Sequence, residues 1–360
     1  MSSTAIAPDH RLYHEDTQRI VDNIRDEAQR LSGKTILITG GAGFLGRHFI
    51  RVFRRLNEAV LRKPVRVLSV DNFITSEPGT FDCDRNIAEV WADVAQPLPL
   101  REDIHFIMHA AGLASPVFYM KYPLETIESA VSGIKNLLEL ARRNPALESF
   151  LFFSSSEIYG DPDPRFVPTP ETYHGHVSSV GPRACYDESK RLGETIATIY
   201  HQKFGVPATI VRPFNVFGPG MRHNDSRVVP MFTLTALNGQ TIPVHGDGKQ
   251  TRTFCYITDA ITGFLKVLLR GHAGEPYNIG NANNEISMHD LAHMYTELLP
   301  GSKFAHIGYP DTYPAGEPQR RCPDLTKSRE QLGYEPQVDL REGLGRFIDW
   351  ARDQESYHKS

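Results

Sequence analysis

Near the start of the chain, apolar positions recur at intervals of three and four. Ile20, Ile24, Ala28 and Leu31 share one face with charged residues between them, which predicts an amphipathic helix over 14–32. The pattern then shortens. Residues 34–39 (KTILIT) form a β-branched run of the kind that suits a buried parallel strand. Similar runs follow at 65–70, 104–109, 149–154 and 208–212. Between them lie helical patterns that start at 47 and cover 127–142 and 187–204. Strands alternating with helices predict an α/β fold, a doubly wound parallel sheet. Beyond Asn215 the pattern changes to loops rich in Gly, Pro and Asn, at 217–225 and 239–252. Residues 254–269 read as a strand and then a helix. The expected division is an N-terminal helical extension at 1–32 and a sheet domain at 33–212 that regains a piece at roughly 254–281. A smaller C-terminal lobe is expected from 213–253 and 282–350.

Composition narrows the function classes. The 39 basic and 43 acidic residues give a net charge of −4, so no broad basic field exists to hold a nucleic-acid backbone. The four cysteines (Cys83, Cys185, Cys255, Cys322) form no CxxC pair, which argues against zinc or a disulfide framework and suits a reducing compartment. Residues 1–18 hold no apolar segment of the signal-peptide type, and no run approaches the ~18 apolar residues of a membrane span. The expectation is a cytoplasmic protein with no nucleic-acid or membrane partner.

The first strand runs directly into Gly40-Gly41-Ala42-Gly43-Phe44-Leu45-Gly46 and then a helix. In that context Gly40-x-x-Gly43-x-x-Gly46 is a dinucleotide fingerprint. Gly40 permits the turn, Gly43 clears space for a pyrophosphate, and Gly46 lets helix and sheet approach. Phe44 and Leu45 open the helix, whose free N–H groups face the phosphates. Asp71 ends the second strand, where a carboxylate accepts from both ribose hydroxyls and repels a 2′-phosphate, so NAD is expected rather than NADP. Asn72 and Asp93 fall at the same strand ends and are assigned to the cofactor, Asp93 toward the adenine.

Tyr186-Asp187-Glu188-Ser189-Lys190 places a phenol and an ammonium on one helix face. The ammonium, with an oxidised nicotinamide, favours the phenolate, making Tyr186 a base for an alcohol that loses hydride. Ser154-Ser155-Ser156-Glu157 follows the strand residues Phe150–Phe153, where hydroxyls can bond the oxygen that becomes a carbonyl.

Together these residues resemble the extended short-chain dehydrogenase/reductases that modify nucleotide sugars, over about 33–350. The carriers are GGAGFLG, Asp71, SSSEIYGDP and YDESK, followed by Gly181–Glu188 (GPRACYDE), 215–219 (NVFGP), 224–229 (NDSRVV), 250–254 (QTRTF) and 318–325 (PQRRCPDL). Within the family the match is most similar to the members that decarboxylate UDP-glucuronate to UDP-xylose through a 4-keto sugar. The resemblance implies a Rossmann sheet with tightly held NAD and a UDP-sugar substrate bound in the C-terminal lobe. A homodimer built on helices 127–142 and 187–203 is also implied. It gives Ser155, Tyr186 and Lys190 the hydroxyl–Tyr–Lys roles and makes Ser156-Glu157 the decarboxylase pair. Arg321 is put on the sugar carboxylate, Asn215, Arg227 and Arg252 on uridine and pyrophosphate, and Ser115 and Tyr119 in the loop beneath the sugar. Two positions depart from the family pattern: Ala110-Ala111-Gly112 stands where Ser-Pro is usual, and Ala130 where Asn is usual.

A C4 epimerase of UDP-glucuronate or another nucleotide sugar is the alternative reading, and a non-catalytic NAD sensor a more remote one. No metal is expected: His289 and His293 share a helix face but lack the Glu of an HExxH motif.

Overall fold

Ile36, Leu37 and Ile38 have no exposed surface, as a strand covered on both faces requires. In the computed structural model, which describes residues 10–309 and 319–358, they belong to β1 (Thr35–Thr39). After β1 come β2 (Arg66–Asp71), β3 (Ile87–Trp91), β4 (Phe106–His109), β5 (Ser149–Phe153) and β6 (Ala208–Pro213). With the late strand Pro276–Ile279 they make one parallel sheet of seven, ordered Pro276–Ile279, β6, β5, β4, β1, β2, β3. The direction of winding reverses between β1 and β4, so a crevice opens at the carboxyl ends of these strands. In such sheets that crevice is where ligands bind.

Three expectations change. First, the helix over 14–32 is two segments, α1 (Arg11–Asn23) and a 3₁₀ turn at Glu27–Leu31. At the break, the Ile24 N–H reaches the Val21 carbonyl three residues back, which tightens the turn and redirects the chain. Ile20, Ile24, Ala28 and Leu31 are nevertheless all fully buried. They pack on the body, against α2 (Phe44–Ala59) and the helix Ile257–Arg270. Polar ties reinforce the contact, because Asp16 accepts from Tyr256 Oη at 2.8 Å and from Arg346 Nη2 at 2.7 Å.

Second, the helix over 127–142 begins at Pro123 and is interrupted. Pro123–Glu128 and Ile134–Arg142 are α-helical, and Ser129–Gly133 is a π-turn. His109 Nε2 meets the Ser129 carbonyl at 3.1 Å, and its Nδ1 meets Thr39 Oγ1 at 2.8 Å. The wide turn thus spends a backbone acceptor on a ring wedged at the strand ends. Burial pushes His109 down to about 3, with Lys190 acting in the same direction, so the imidazole is neutral.

Third, the strand of the 254–269 segment does not rejoin the main sheet. Cys255–Tyr256 pairs instead with Val216–Phe217, above the end of β6. The strand that does return is Pro276–Ile279. The lobe beyond holds a three-stranded sheet in which Thr251–Thr253 lies between Glu285–Ser287 and Arg320–Arg321. That register sets Arg321 beside Arg252, although 68 residues separate them (321 minus 252, less one).

The buried face of α1 makes it part of the core rather than an appendage. Ile20→Ala is expected to destabilise the protein by about 2–5 kcal/mol in urea unfolding. A loss below about 1 kcal/mol would mean a loosely docked helix.

Candidate active site

The crevice at the switch point widens into a cleft of about 640 Å³. Its floor is the loop between β1 and α2. Gly40 has φ +75°, and a Cβ there would stand 2.9 Å from the Ala111 backbone. A Cβ on Gly46 would lie 2.3 Å from the Gly40 carbonyl and 2.5 Å from Gly41 Cα, so only hydrogen lets α2 sit this close to β1. Gly43 caps α2 from an extended conformation, with no side chain over the cleft. Phe44 and Leu45 follow on its wall.

At the next strand end, Asp71 organises the loop around itself. Its carboxylate accepts from the Ala42 N–H at 3.1 Å, the Phe73 N–H at 2.9 Å and Ser76 Oγ at 3.0 Å. Asn72 donates to Asp93 at 3.2 Å, and both line the cleft with Asp71.

The end of β5 carries the serines. Ser155 caps a short 3₁₀ turn, Ser156–Tyr159, by accepting from the Glu157 N–H at 3.2 Å. Facing it is the helix Ala184–Phe204, which presents Tyr186 and Lys190 one turn apart. The Ser155 hydroxyl faces the Tyr186 phenol, and Lys190 Nζ lies 5.9 Å from the Tyr186 ring centroid while donating to the Phe153 carbonyl at 2.8 Å. Burial pushes Lys190 down to about 8 and Tyr186 up to about 12, the Ser155 hydroxyl opposing the latter. In the protein alone desolvation outweighs the Ser155 hydroxyl and Arg227, and the phenol keeps its proton at neutral pH; the expected phenolate calls for the oxidised nicotinamide as well as Lys190. Tyr119 stacks on Tyr186 at 5.3 Å between centroids.

Glu157 stands at the far end of the cleft. Arg321 grips it with two parallel bonds, Nη1 to Oε1 at 2.6 Å and Nη2 to Oε2 at 2.9 Å. Arg183 pairs with the same carboxylate, and its Nε approaches Asp187 Oδ2 at 3.5 Å. Arg321 is only 6% exposed, so it is no solvated surface charge beside Arg320, which pairs with Glu285.

Toward the lobe, Asn215 has φ +37° and donates to the Thr253 carbonyl at 2.9 Å. Arg252 is buried and donates to the Thr251 carbonyl at 2.8 Å. Arg227 is clamped by Asp225, with Nε–Oδ1 at 3.0 Å and Nη2–Oδ2 at 2.5 Å. All three line the cleft. Ser115 does not: it is buried behind Ala114 and Pro116, and its hydroxyl donates to Asp225 at 3.3 Å. It therefore acts on the clamp that holds Arg227.

Sequence reasoning missed Arg183, Asp187 and Asp225 as site residues. Arg183 and Asp187 lay within the quoted GPRACYDE segment at i, i+4 spacing, a pairing signal that was available.

A chain with these features belongs to the NAD dependent epimerase/dehydratase family, which matches residues 36–280. It is 38% identical over 338 residues to UDP-glucuronic acid decarboxylase 5 of Arabidopsis thaliana, covering 91% of this chain and 92% of that one. The corresponding decarboxylase 1 of Xenopus tropicalis is 39% identical over 325 residues, covering 89% and 73%. Among solved structures, an epimerase from Methanothermobacter thermautotrophicus superposes with a TM-score of 0.77 at 28% identity, covering 94% of this chain and 98% of the other. A dTDP-glucose 4,6-dehydratase from Bacillus anthracis, solved with NAD, gives 0.75 at 25% identity, covering 90% and 98%.

The cofactor of this family is NAD, and the residues present fit it. A Cβ at Gly40 or Gly46 would collide with neighbouring backbone, so glycine alone permits this tight loop, Gly43 caps α2 with no side chain over the cleft, and a carboxylate stands at the end of β2. Asp71→Ala is expected to weaken NAD about ten- to hundredfold through lost charge-assisted hydrogen bonds, and NADP less. Titration calorimetry on emptied protein measures both. Equal losses for the two dinucleotides would remove Asp71 from cofactor selection.

Proposed function

We propose that this protein decarboxylates UDP-glucuronate to UDP-xylose through a 4-keto sugar. The observation that carries the reading is the two-point grip of Arg321 on a carboxylate, at the end of the cleft that holds Ser155 and Tyr186. A guanidinium so placed, already set for two-point binding of a carboxylate, suits a sugar acid.

Residues 33–212 with the returning strand Pro276–Ile279 hold NAD through Gly40, Gly43, Phe44, Leu45, Gly46, Asp71, Asn72 and Asp93. The lobe of 213–253 and 282–350 holds the UDP-sugar through Asn215, Arg227 and Arg252, with Ser115 acting through Asp225. Bound NAD supplies the acceptor for hydride from sugar C4 and returns it after the carbon is lost. Tyr186 takes the 4-hydroxyl proton. Burial raises that phenol to about 12 in the protein alone, against the Ser155 hydroxyl and Arg227, and its ionised form would be favoured by an oxidised nicotinamide bound beside Lys190. Ser155 donates to the C4 oxygen as it becomes a carbonyl and then an enolate. Arg321 orients the carboxylate so that the C5–C6 bond stands across the carbonyl plane. Its contact weakens as charge moves to the C4 oxygen, which favours the transition state over the bound acid. Ser156 occupies the place of a dehydratase acid, so no group there protonates a leaving hydroxyl, and Tyr119 walls the ring of Tyr186.

A homodimer in a reducing, cytoplasmic setting completes the reading. Leu124 is 70% exposed, and Ile127, Leu192 and Ile199 are exposed on the neighbouring helices Pro123–Glu128 and Ala184–Phe204. The four cysteines are unpaired thiols.

Tyr186→Phe is expected to lower kcat about 10²–10⁴-fold while UDP binding persists. UDP-glucuronate labelled at C6 should lose its label as carbon dioxide. Label retained in a hexuronic product with inverted C4 would make the protein an epimerase. For the dimer, light scattering should give twice the 40.5 kDa chain mass, and Leu124→Asp with Leu192→Asp should give one. An unchanged mass would move the interface elsewhere.

A further inference from the structure

The decarboxylase reading, on which this inference rests, carries a stoichiometric demand. Tyr186 takes one proton from the 4-hydroxyl and gives it back, so it balances. Loss of carbon dioxide does not balance: the C5–C6 electron pair moves into the C4 enolate, and C5 must then gain a proton. UDP-glucuronate and one proton yield UDP-xylose and carbon dioxide. With NAD and the nucleotide sugar filling the main cleft, that proton needs its own way in.

A second cavity of about 360 Å³ adjoins the cleft at Glu157 and Arg183. Glu157 and Arg183 line both spaces and form the wall between them. The outer walls are Asp161, His176, Ser178 and Asp187, and Ser178 lies on the exposed side. Asp187 is 8% exposed, and its Oδ1 has no hydrogen-bond partner, while Oδ2 meets Arg183 Nε at 3.5 Å. A buried carboxylate oxygen left unbonded is costly unless it carries a proton or meets water.

We propose that the side cavity is the proton port of this site, and that Asp187 passes a solvent proton through Glu157 to C5. Asp187 does not touch the sugar; it is a positioning residue for the proton. The electron pair of the enolate takes the proton at C5, and cavity water reprotonates the relay. The groups facing Asp187 are Arg183 on its own helix, Glu157 and Arg321 across the wall, and Tyr119, Tyr186 and Cys185 beside it. Asp161 and His176 face it over the cavity. Burial pushes Asp187 up to about 7, with Glu157 adding to the rise and Arg183 and Arg321 opposing it. A substrate carboxylate arriving beside Arg321 brings a further negative charge and favours the protonated relay.

The test uses the full-length protein with bound NAD. Wild type in D₂O should place one deuteron at C5 of UDP-xylose, and kcat should fall as pH rises through about 7, where Asp187 loses its proton. Asp187→Asn should lower kcat about tenfold or more with KM little changed and lose that alkaline limb; any enol that escapes takes its C5 proton from bulk water to give UDP-4-keto-pentose and leaves the protein holding reduced dinucleotide. Asp187→Glu should restore rate and limb. Ser178→Trp, filling the cavity from its rim, should slow kcat in the same way with NAD still bound, and it serves if Asp187→Asn does not fold. If Asp187→Asn keeps the wild-type rate or limb, or the plugged variant turns over normally, the relay is refuted while carbon dioxide release still supports decarboxylation. If wild type yields a hexuronate with no carbon dioxide, no net proton is consumed and both readings fall.

Discussion

The approach of α2 to β1 is the constraint from which the site follows. A Cβ on Gly46 would stand 2.3 Å from the Gly40 carbonyl, so the packing exists only because Gly46 carries no side chain. That contact leaves the first N–H groups of the helix pointing into the crevice at the switch point, with a partial positive charge behind them. Asp71 then has a fixed loop to bind: it accepts from Ala42 inside that turn and from Phe73 and Ser76 beyond β2. A bulkier residue at Gly46 would displace the turn, and Asp71 and the carboxyl end of β4 with it.

Charge in the cleft is arranged by burial as much as by pairing. Lys190 is pushed down to about 8 and Tyr186 up to about 12 for the same reason, removal from water, so burial moves the two groups apart in proton affinity. The phenol therefore keeps its proton until a positive charge, such as that of a cationic cofactor, is added beside it. At the other end, two carboxylates (Glu157, Asp187) face two guanidiniums (Arg183, Arg321). Buried pairs of this kind contribute little net stability, because desolvation offsets attraction. Their value here is geometric. Glu157 comes from the end of β5 and Arg321 from the lobe, so the pair holds both halves at the place where they meet.

The elements with a strong period were legible in the sequence: β1, β2, β4, β5 and β6 follow runs of apolar residues, and the glycine spacing located the switch point. Interruptions were not legible. The break at Ile24 leaves every apolar residue on its expected face, so hydrophobic periodicity could not register it. The π-turn at Ser129–Gly133 is explained by His109, which lies on another strand. At the site, most residues that line the cleft were found through the resemblance and through local motifs. The ion-pair partners Arg183, Asp187 and Asp225 were not. Ser115 was named for the sugar loop, but its hydroxyl meets Asp225, and Arg183 meets Glu157 across 26 positions, contacts that only the folded chain creates.

The same pairing also bears on selectivity between sugars. With a neutral hexose in the cleft, Arg321 keeps both bonds to Glu157 and the charges stay balanced. A uronic acid brings a carboxylate that competes for the guanidinium, and Glu157 keeps Arg183 as a partner when Arg321 turns toward the substrate. The exchange is nearly even in ion pairs, so it costs little to make. It also leaves the sugar carboxylate less tightly bound than a dedicated, unopposed arginine would leave it. That balance suits a reaction in which the bound group must depart as a neutral molecule, because an interaction stronger in the ground state than in the transition state would slow the step.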